Sequence, residues 1–277
     1  MKTVTSISGG QTSAYVAANY PSDYNVFALV RIESARFPDE TLRKRVEDRI
    51  QAPFIGTPED DTIIHTIFDL EQYLGRQIKW VTGKTFDEVV TGGYLPNKVA
   101  RFCTTELKIR PIVHWWAEEI GEPVEVRIGF RANEMNRAKS MIEKCNKEGL
   151  STFKASFEKL PDGRNKWTEV AWQKPVFPLV KDGIFRDNIA HYWKDKPVRF
   201  AERNNCVGCW WRSPIELKAQ FKKHPEKMQW FADQEKKAKG TWRSDVTYEQ
   251  IKNWSPQVEI DWGSVDSPDC DSGHCGL

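Results

Sequence analysis

Two groups of residues in this sequence have the types and spacing to do chemistry. The first is the glycine loop, Ser8-Gly9-Gly10-Gln11-Thr12-Ser13, which follows a β-branched segment and precedes an apolar one. Its glycines allow positive φ and close approach of a ligand, and its hydroxyls add hydrogen-bond donors. A turn from strand to helix aims backbone N–H groups at one point, which favours phosphate binding. The alternative is an ordinary turn, since the loop has neither the Gly-x-x-x-x-Gly-Lys nor the Gly-x-Gly-x-x-Gly spacing.

A cysteine pattern forms the second group. Cys206 and Cys209 have a two-residue spacing that lets two thiolates face one metal around a tight turn, which Gly208 helps to close. One such pair is half a site, so further ligands must come from elsewhere in the chain. The candidates are Cys103, Cys270 and Cys275. We therefore expect a metal centre, and we favour an iron–sulfur cluster over zinc.

Three alternatives to a cluster stay open. Structural zinc could use His274 beside Cys275, although the histidines earlier in the chain offer no helpful spacing. A redox-active cysteine pair would need a thioredoxin-like pattern, which is absent. Buried inert cysteines are disfavoured because Cys270 and Cys275 lie in a polar, glycine-containing tail. Cys145 lies in a polar segment with no partner nearby, and we interpret it as incidental.

Strands that alternate with helices must position these residues. The sequence predicts strands at residues 2–7, 24–30, 62–68, 77–81 and 124–130, and helices at several of the segments between them. Nearly continuous apolar strands are typical of a parallel sheet buried on both faces. Ligands bind at the carboxyl ends of such strands. We predict an α/β fold with a Rossmann-like doubly wound parallel sheet and a smaller helical, cysteine-bearing C-terminal extension.

Composition divides the chain into three predicted parts. Residues 1–134 carry the α/β pattern, residues 135–174 are a polar insertion or an edge hairpin, and residues 175–277 are an aromatic-rich helical region with the metal site. The 41 basic and 39 acidic residues nearly cancel, so nucleic-acid binding would need a local patch. No apolar run suits a membrane span or a signal peptide, and we expect a cytoplasmic protein with reduced cysteines.

Two predicted helices in the last third of the chain carry many lysines. Ser213, Pro214 and Glu216 form a start signal for the first of them. We expect both helices to expose their lysines to solvent, and a phosphate-contacting patch is the less favoured interpretation. The lysines concerned are Lys218, Lys222, Lys223, Lys227, Lys236 and Lys237.

Four motifs and the C-terminal tail, in this order, resemble the phosphoadenosine-phosphosulfate (PAPS) reductase-like family of the PP-loop ATP-pyrophosphatase superfamily. The glycine loop is similar to the family's Ser-Gly-Gly-x-Asp-Ser loop, and residues 103–112 are similar to its block of cysteine, lysine and proline. Residues 129–134, followed by Arg137, are similar to its Gly-Ile/Phe-Arg-x-x-Glu loop. Cys206 and Cys209 match a later Cys-x-x-Cys of the family, and the last four residues resemble a catalytic Glu-Cys-Gly-Leu tail.

The resemblance implies an adenine nucleotide alpha hydrolase-like fold and a site for ATP or a related adenylate. Lys108 and Arg131 would balance the negative charge of the ligand's phosphate or sulfate end. Lysine provides a point charge, and the planar guanidinium of arginine suits an oxyanion. In the adenylylsulfate reductases the cysteine block binds a 4Fe-4S cluster together with the later Cys-x-x-Cys. The implied nucleotide-binding residues are Ser8, Gly9, Gly10, Gln11, Thr12, Ser13, Arg31, Gly129, Glu134 and Arg137, and the implied cluster ligands are Cys103, Cys206, Cys209, Cys270 and Cys275.

The sequence departs from the family pattern at three places. Thr12 stands where the loop usually has Asp, which removes a carboxylate for Mg²⁺, although Asp39 or Glu33 could substitute. Cys103 stands alone where cluster-bearing reductases have two adjacent cysteines, so the fourth ligand must come from the tail. The polar insertion and the Trp-rich second half are more similar to divergent members of the family in phages and in DNA- or RNA-sulfur-modification systems.

We expect an ATP pyrophosphatase-type enzyme that adenylates a substrate for sulfur or group transfer, with Lys108 and Arg131 stabilising charge on the departing pyrophosphate. One alternative is reduction of an adenylated sulfate to sulfite with Cys275 as the nucleophile, a role that excludes permanent ligation of a metal. Another is a non-catalytic nucleotide- or nucleic-acid-binding module with structural zinc. The expected partners are the nucleotide, a nucleic-acid substrate or a sulfur-carrier protein, and a second copy of the chain, with no membrane.

Overall fold

The centre of the computed structural model, which describes residues 1–255, is one six-stranded sheet. Its strands are β1 (Thr3–Ile7), β2 (Tyr24–Ala28), β3 (Lys79–Val81), β4 (Val124–Arg127), β5 (Ser151–Lys159) and β6 (Asn165–Val176). They lie in the order β3-β2-β1-β4-β6-β5, and every neighbouring pair is parallel except β6 with β5. The predicted α/β class with a mostly parallel sheet is therefore confirmed.

Helices connect the strands and continue beyond the sheet. They are α1 (Gln11–Asn19), α2 (Glu40–Ile50), α3 (Thr62–Leu74), α4 (Phe86–Val90), α5 (Phe102–Thr104), α6 (Arg110–Glu119), α7 (Met135–Glu143), α8 (Pro178–Lys181), α9 (Arg186–Trp193), α10 (Pro214–Lys223), α11 (Pro225–Lys237) and α12 (Tyr248–Asn253). A π-helix at Thr105–Ile109 joins α5 to α6, and a 3₁₀-helix at Ala132–Glu134 precedes α7. In the part of the chain from residue 1 to residue 255, no helix has the length and apolarity needed to cross a membrane.

Both faces of the sheet are buried, because alternate side chains of a strand point to opposite sides. Phe27 of β2 packs in one core with residues of α1, α2, α3 and α9. Its neighbours Val26 and Ala28 pack in a second core with residues of α6 and α7. A third core joins Val30 and Ile32, which follow β2, to residues of α4, α10, α11 and α12. The C-terminal helices therefore pack against the segments that leave the carboxyl end of the sheet.

The predicted strand at residues 62–68 is wrong, because this segment lies in α3. Its β-branched residues are typical of a strand. However, the buried positions Ile63, Ile64, Ile67 and Phe68 repeat with the period of a helix. The helix ends at Gly75, which has a φ of +61° and so provides a left-handed C-cap.

Residues 135–174 contribute to the sheet rather than standing apart from it. They form α7 and then a long hairpin of β5 and β6. β6 pairs parallel with β4 through residues 173–176, so the hairpin extends the sheet and β5 is its edge strand. Of the two interpretations of this segment, the structure shows the edge hairpin.

Candidate functional site

The glycine loop connects β1 to α1 and is buried except for Gln11. Gly9 has a φ of +80°, and an added Cβ would lie 2.6 Å from Cγ2 of Ile63 in α3, so a larger residue does not fit. Ser13 Oγ donates to the carbonyl of Gly10 at 3.1 Å and accepts from the N–H of Ser8 at 3.1 Å. The first-turn N–H groups of α1 have no intrahelical acceptors. The loop therefore has the rigid shape and the donors that a phosphate site needs.

The predicted Gly-Phe-Arg segment lies beside the glycine loop. β4 pairs with β1, so residues that follow β4 reach the same sheet edge as the loop. A Cβ added to Gly129 would lie 3.1 Å from Cγ2 of Thr12, which places these two motifs in close contact. The structure therefore brings together two segments that are more than 100 residues apart in the sequence.

Arg131, Glu134 and Arg137 form a charged network at the start of α7. The Glu134 carboxylate accepts from the backbone N–H of Arg131 at 2.9 Å, from Nε of Arg131 at 3.0 Å and from the Arg137 guanidinium. Burial raises the pKa of Glu134, but these hydrogen bonds and charges outweigh it, so the pKa lies below its usual range. Arg137 also stacks on Phe130, with 4.3 Å from its guanidinium carbon to the ring centroid. The network fixes Arg131 close to the residues that contact the loop.

The structure gives Arg31 other partners than the glycine loop. Its nitrogens donate to Thr82 Oγ1 at 2.9 Å, to the Pro53 carbonyl at 2.7 Å and to the Gly83 carbonyl at 2.6 Å. These hydrogen bonds join three segments of the chain, and none of them reaches the loop, so a role of Arg31 in nucleotide binding stays a prediction. Burial lowers the pKa of this guanidinium.

The two acids that could replace the missing loop carboxylate also have structural partners. Asp39 caps α2 by accepting from the N–H of Leu42 at 2.9 Å. Glu33 accepts from the hydroxyl of Thr85 at 3.0 Å. Neither contact places a carboxylate at Thr12, so a substitute Mg²⁺ ligand at that position remains a prediction.

A small cavity of about 50 Å³ gathers three of the cysteines that the sequence singles out, Cys103, Cys206 and Cys209; we call it the cysteine cavity. Cys103 comes from α5, whereas Cys206 and Cys209 come from the turn before α10. Charged, polar and aromatic side chains complete its lining, among them Glu59, Arg101, Lys108, Asn205, Trp210 and Trp211. Cys145 does not belong to this group; its thiol donates to the carbonyl of Met141 at 3.4 Å.

The third core holds the Cys206–Cys209 turn in place. The N–H of Cys209 donates to the carbonyl of Cys206 at 3.1 Å, which closes the turn. A Cβ added to Gly208 would lie 2.3 Å from the ring of the fully buried Phe231. The hydroxyl of Tyr248 donates to the carbonyl of Gly208 at 2.7 Å. Glycine at this position therefore lets the turn pack closely against α11 and α12.

Burial dominates the chemistry of the three thiols. It raises the pKa of Cys103 to about 12, with a further contribution from neighbouring Cys209. Burial also raises the pKa of Cys206, helped by the charge of Glu59, and the pKa of Cys209. A metal ion or cluster would replace these protons, because only the thiolate binds metal.

The Glu59–Lys108 ion pair lies at the cysteine cavity, and sequence reasoning missed its acidic member. Lys108 Nζ is 2.8 Å from Glu59 Oε1, and the Glu59 side chain is only 1% exposed. Burial lowers the pKa of Lys108, but the Glu59 carboxylate outweighs it, so the pKa lies above its ordinary value. Lys108 is therefore charged next to the thiols. The available signal was the run of acids from Glu59 to Asp61 directly before α3.

The next two acids of this run bind the C-terminal helices. Asp60 Oδ2 lies 3.5 Å from His224 Nε2 and 3.4 Å from Lys223 Nζ. Asp61 Oδ1 lies 2.7 Å from the Nζ of Lys227. The expectation that Lys227 is exposed is wrong, because the residue is only 5% exposed. Its ammonium group donates hydrogen bonds to the Asp61 carboxylate and to the Glu59 carbonyl.

One short segment connects the glycine loop to the cysteine cavity. The side-chain amide of Asn204 donates to Ser8 Oγ at 2.9 Å. The next residue, Asn205, lines the cysteine cavity and accepts from Arg212 at 2.7 Å. Cys206 follows directly. Consecutive Cα atoms are only about 3.8 Å apart, so the two candidate sites are neighbours.

Among residues 1–255, no three His, Cys, Asp or Glu side chains stand close enough together to hold one ion. Zinc needs its ligands around one point, whereas the cysteines of a 4Fe-4S cluster bind different irons and ring a wider space. Cys103, Cys206 and Cys209 line one cavity, and the choice between a cluster and a single ion there stays a prediction. Cys270, His274 and Cys275 lie outside the described residues, so the fourth ligand stays a prediction.

Comparison with known proteins adds no assignment to these sites. A scan against protein-family models, a search of curated proteins and a search of solved structures each find no match to this chain. The two neighbouring sites and the segment that joins them therefore carry the functional assignment.

Proposed function

We propose that this protein is an adenine-nucleotide-dependent enzyme of the PAPS reductase-like kind, with an adenine nucleotide alpha hydrolase-like fold. It adenylates a substrate for sulfur or group transfer next to a 4Fe-4S cluster. The observation that carries the proposal is the pair of consecutive residues Asn204 and Asn205. Asn204 contacts the glycine loop, and Asn205 lines the cysteine cavity. A phosphate site and a set of buried thiols in adjacent positions suit an enzyme that couples nucleotide and sulfur chemistry.

The nucleotide part of the proposal rests on the glycine loop and on the residues that follow β4. Backbone N–H groups at the start of α1 and the loop hydroxyls are suited to hold the phosphates. Arg131, which the Glu134 carboxylate orients, supplies a guanidinium for the charge that develops on the departing pyrophosphate. The adenylation reaction also needs water excluded from the reacting groups. The packed glycine loop and the third core are suited to exclude it.

The cluster part rests on Cys103, Cys206 and Cys209. Binding requires each thiol to lose its proton, and the charged ammonium of Lys108 offsets the negative charge that this loss creates. Glu59 keeps Lys108 charged and in place through their 2.8 Å contact. A bound cluster would supply an electron-transfer or sulfur-handling centre beside the nucleotide.

Metal content and product identity test the proposal together. The wild-type protein, Cys206→Ser and Cys145→Ser would be purified anaerobically and assayed for iron, acid-labile sulfide, zinc and pyrophosphate release from ATP. We expect iron and sulfide in the wild type and in Cys145→Ser, their loss in Cys206→Ser, and pyrophosphate from the wild type. Zinc without iron would contradict the cluster. Sulfite from an adenylyl sulfate, without pyrophosphate from ATP, would contradict adenylation and support the reductase alternative.

A further inference from the structure

Three N–H donors of residues that line the cysteine cavity are buried without an acceptor among residues 1–255. They are Nε1 of Trp210, Nε1 of Trp211 and Nε of Arg101. An unsatisfied buried donor loses its hydrogen bonds to water without replacement, so native structures rarely leave one unpaired. Three of them around one cavity indicate an acceptor that binds there.

Nearby tryptophans show that the surrounding chain can provide acceptors. Trp230 Nε1 donates to the Asp87 carboxylate at 2.7 Å. Trp242 Nε1 donates to the Phe231 carbonyl at 2.9 Å. Trp210 and Trp211 belong to the same core or pack against it, yet their indole N–H groups have no such acceptor within the described chain. Trp210 and Trp211 line the cysteine cavity, whereas Trp230 and Trp242 do not. Trp80, which lies elsewhere in the fold, also has no acceptor among residues 1–255.

Neighbouring groups hold the two indoles in position. The Trp210 ring stacks on Trp242, with 6.1 Å between centroids and 7° between planes. The guanidinium carbon of Arg101 lies 5.2 Å from the Trp211 ring centroid, and Lys98 Nζ lies 5.6 Å from it. Rings fixed in this way present their N–H groups in a constant direction.

We propose that the N–H groups of Trp210, Trp211 and Arg101 donate hydrogen bonds to sulfur atoms of the cluster in the cysteine cavity. This inference rests on the proposed 4Fe-4S cluster. Thiolate and sulfide sulfurs are anionic acceptors, and hydrogen bonds to them are one of the factors that set a cluster's reduction potential. Such bonds stabilise the more negative, reduced state most, so they raise the midpoint potential.

Single substitutions of the indoles test this assignment. Trp210→Phe and Trp211→Phe keep an aromatic ring but remove the N–H, and Arg101→Lys keeps the charge but removes Nε. The matched control is Trp80→Phe. Trp80 Nε1 is also buried without an acceptor among residues 1–255, but its ring packs with Phe27 and Phe68 on the sheet. The readout is the midpoint potential from a redox titration followed by electron paramagnetic resonance (EPR).

We expect the three cavity variants to shift the midpoint potential to more negative values and Trp80→Phe to leave it unchanged. Cavity variants that keep full iron content and the wild-type potential would overturn the inference. In a second measurement, pulsed EPR of the reduced wild type with ¹⁵N-labelled indole should detect nitrogen coupling to the cluster. Absence of this coupling would overturn the inference even if the variants fail to assemble. A wild type without iron refutes the cluster itself, so the two failures are distinguishable.

Discussion

The side-chain amide of Asn204 donates a 2.9 Å hydrogen bond to Ser8 Oγ, and both residues are buried. Asn204 comes directly before Asn205 and Cys206, which line the cysteine cavity. Ser8, the first serine of the glycine loop, is therefore held by the same segment that places Cys206 at the cysteine cavity. This contact joins a local motif at the start of the chain to the segment before the Cys206–Cys209 turn, nearly 200 residues later.

Asn204→Ala should weaken nucleotide binding without removing the cluster. Loss of one net hydrogen bond is worth about 1 kcal/mol, which corresponds to roughly a fivefold weaker affinity if the loop loses its binding shape. Titration calorimetry with ATP and iron analysis would measure both properties. The control is Asn188→Ala, which removes a different side-chain hydrogen bond: Oδ1 of exposed Asn188 accepts from the N–H of Phe185 at the start of α9. Equal affinities in the two variants would contradict a role of Asn204 at the loop.

Gly9→Ala should abolish nucleotide binding. The new Cβ would meet Ile63 at 2.6 Å, and the left-handed backbone costs about 1–2 kcal/mol more for alanine. Gly149→Ala is the matched control, since Gly149 has a φ of +74° but nothing within 4 Å of an added Cβ. We expect both variants to have a lower Tm and only Gly9→Ala to lose ATP binding. If Gly9→Ala binds ATP as tightly as Gly149→Ala, the loop does not hold the nucleotide.

Gly208→Ala should lower the iron content of the protein. An added Cβ would lie 2.3 Å from the Phe231 ring, so the Cys206–Cys209 turn must move away from the third core. Gly240→Ala provides the comparison, because an added Cβ there meets nothing within 4 Å. Iron per folded chain and Tm would be measured for both. Full iron in Gly208→Ala would show that the position of this turn does not matter for metal binding.

Asp60 should make the protein sensitive to acid. Burial raises the pKa of Asp60, but His224 and the N–H of Thr62 lower it more strongly, so it lies below its usual value. A carboxyl with a lowered folded pKa stabilises the fold above its unfolded pKa of about 3.9, and this contribution disappears as the pH falls below that value. Asp60→Asn should therefore lower the Tm at neutral pH. The Tm of this variant should then decrease less than that of the wild type when the pH is lowered. The same change at exposed Asp195 should alter neither quantity.

The sequence allowed prediction of the features that depend on local patterns. Glycines and hydroxyls between an apolar strand and a helix placed the glycine loop between β1 and α1. Ser213 and Glu216 form the capping box that their spacing predicts. These features need only neighbours within a few residues, so they are readable without the fold.

Features that depend on distant partners could not be predicted. The acids before α3 have the composition of a solvated helix start, and only the tertiary structure pairs Glu59 with Lys108 and Asp61 with buried Lys227. The residues at 62–68 combine β-branched types with helical spacing, and composition alone favoured the wrong element. The sequence also could not show that the indole N–H groups of Trp210 and Trp211 have no acceptor among residues 1–255, because indole groups usually find a partner when buried.

The central claim is that a nucleotide site adjoins a cluster, and EPR spectroscopy of the anaerobically purified, reduced protein with and without ATP tests it most directly. We expect about four irons and four sulfides per chain and a spectrum that changes when ATP binds, with a smaller change in Asn204→Ala. A spectrum unchanged by bound ATP, or a protein that binds ATP but contains no iron, would contradict it.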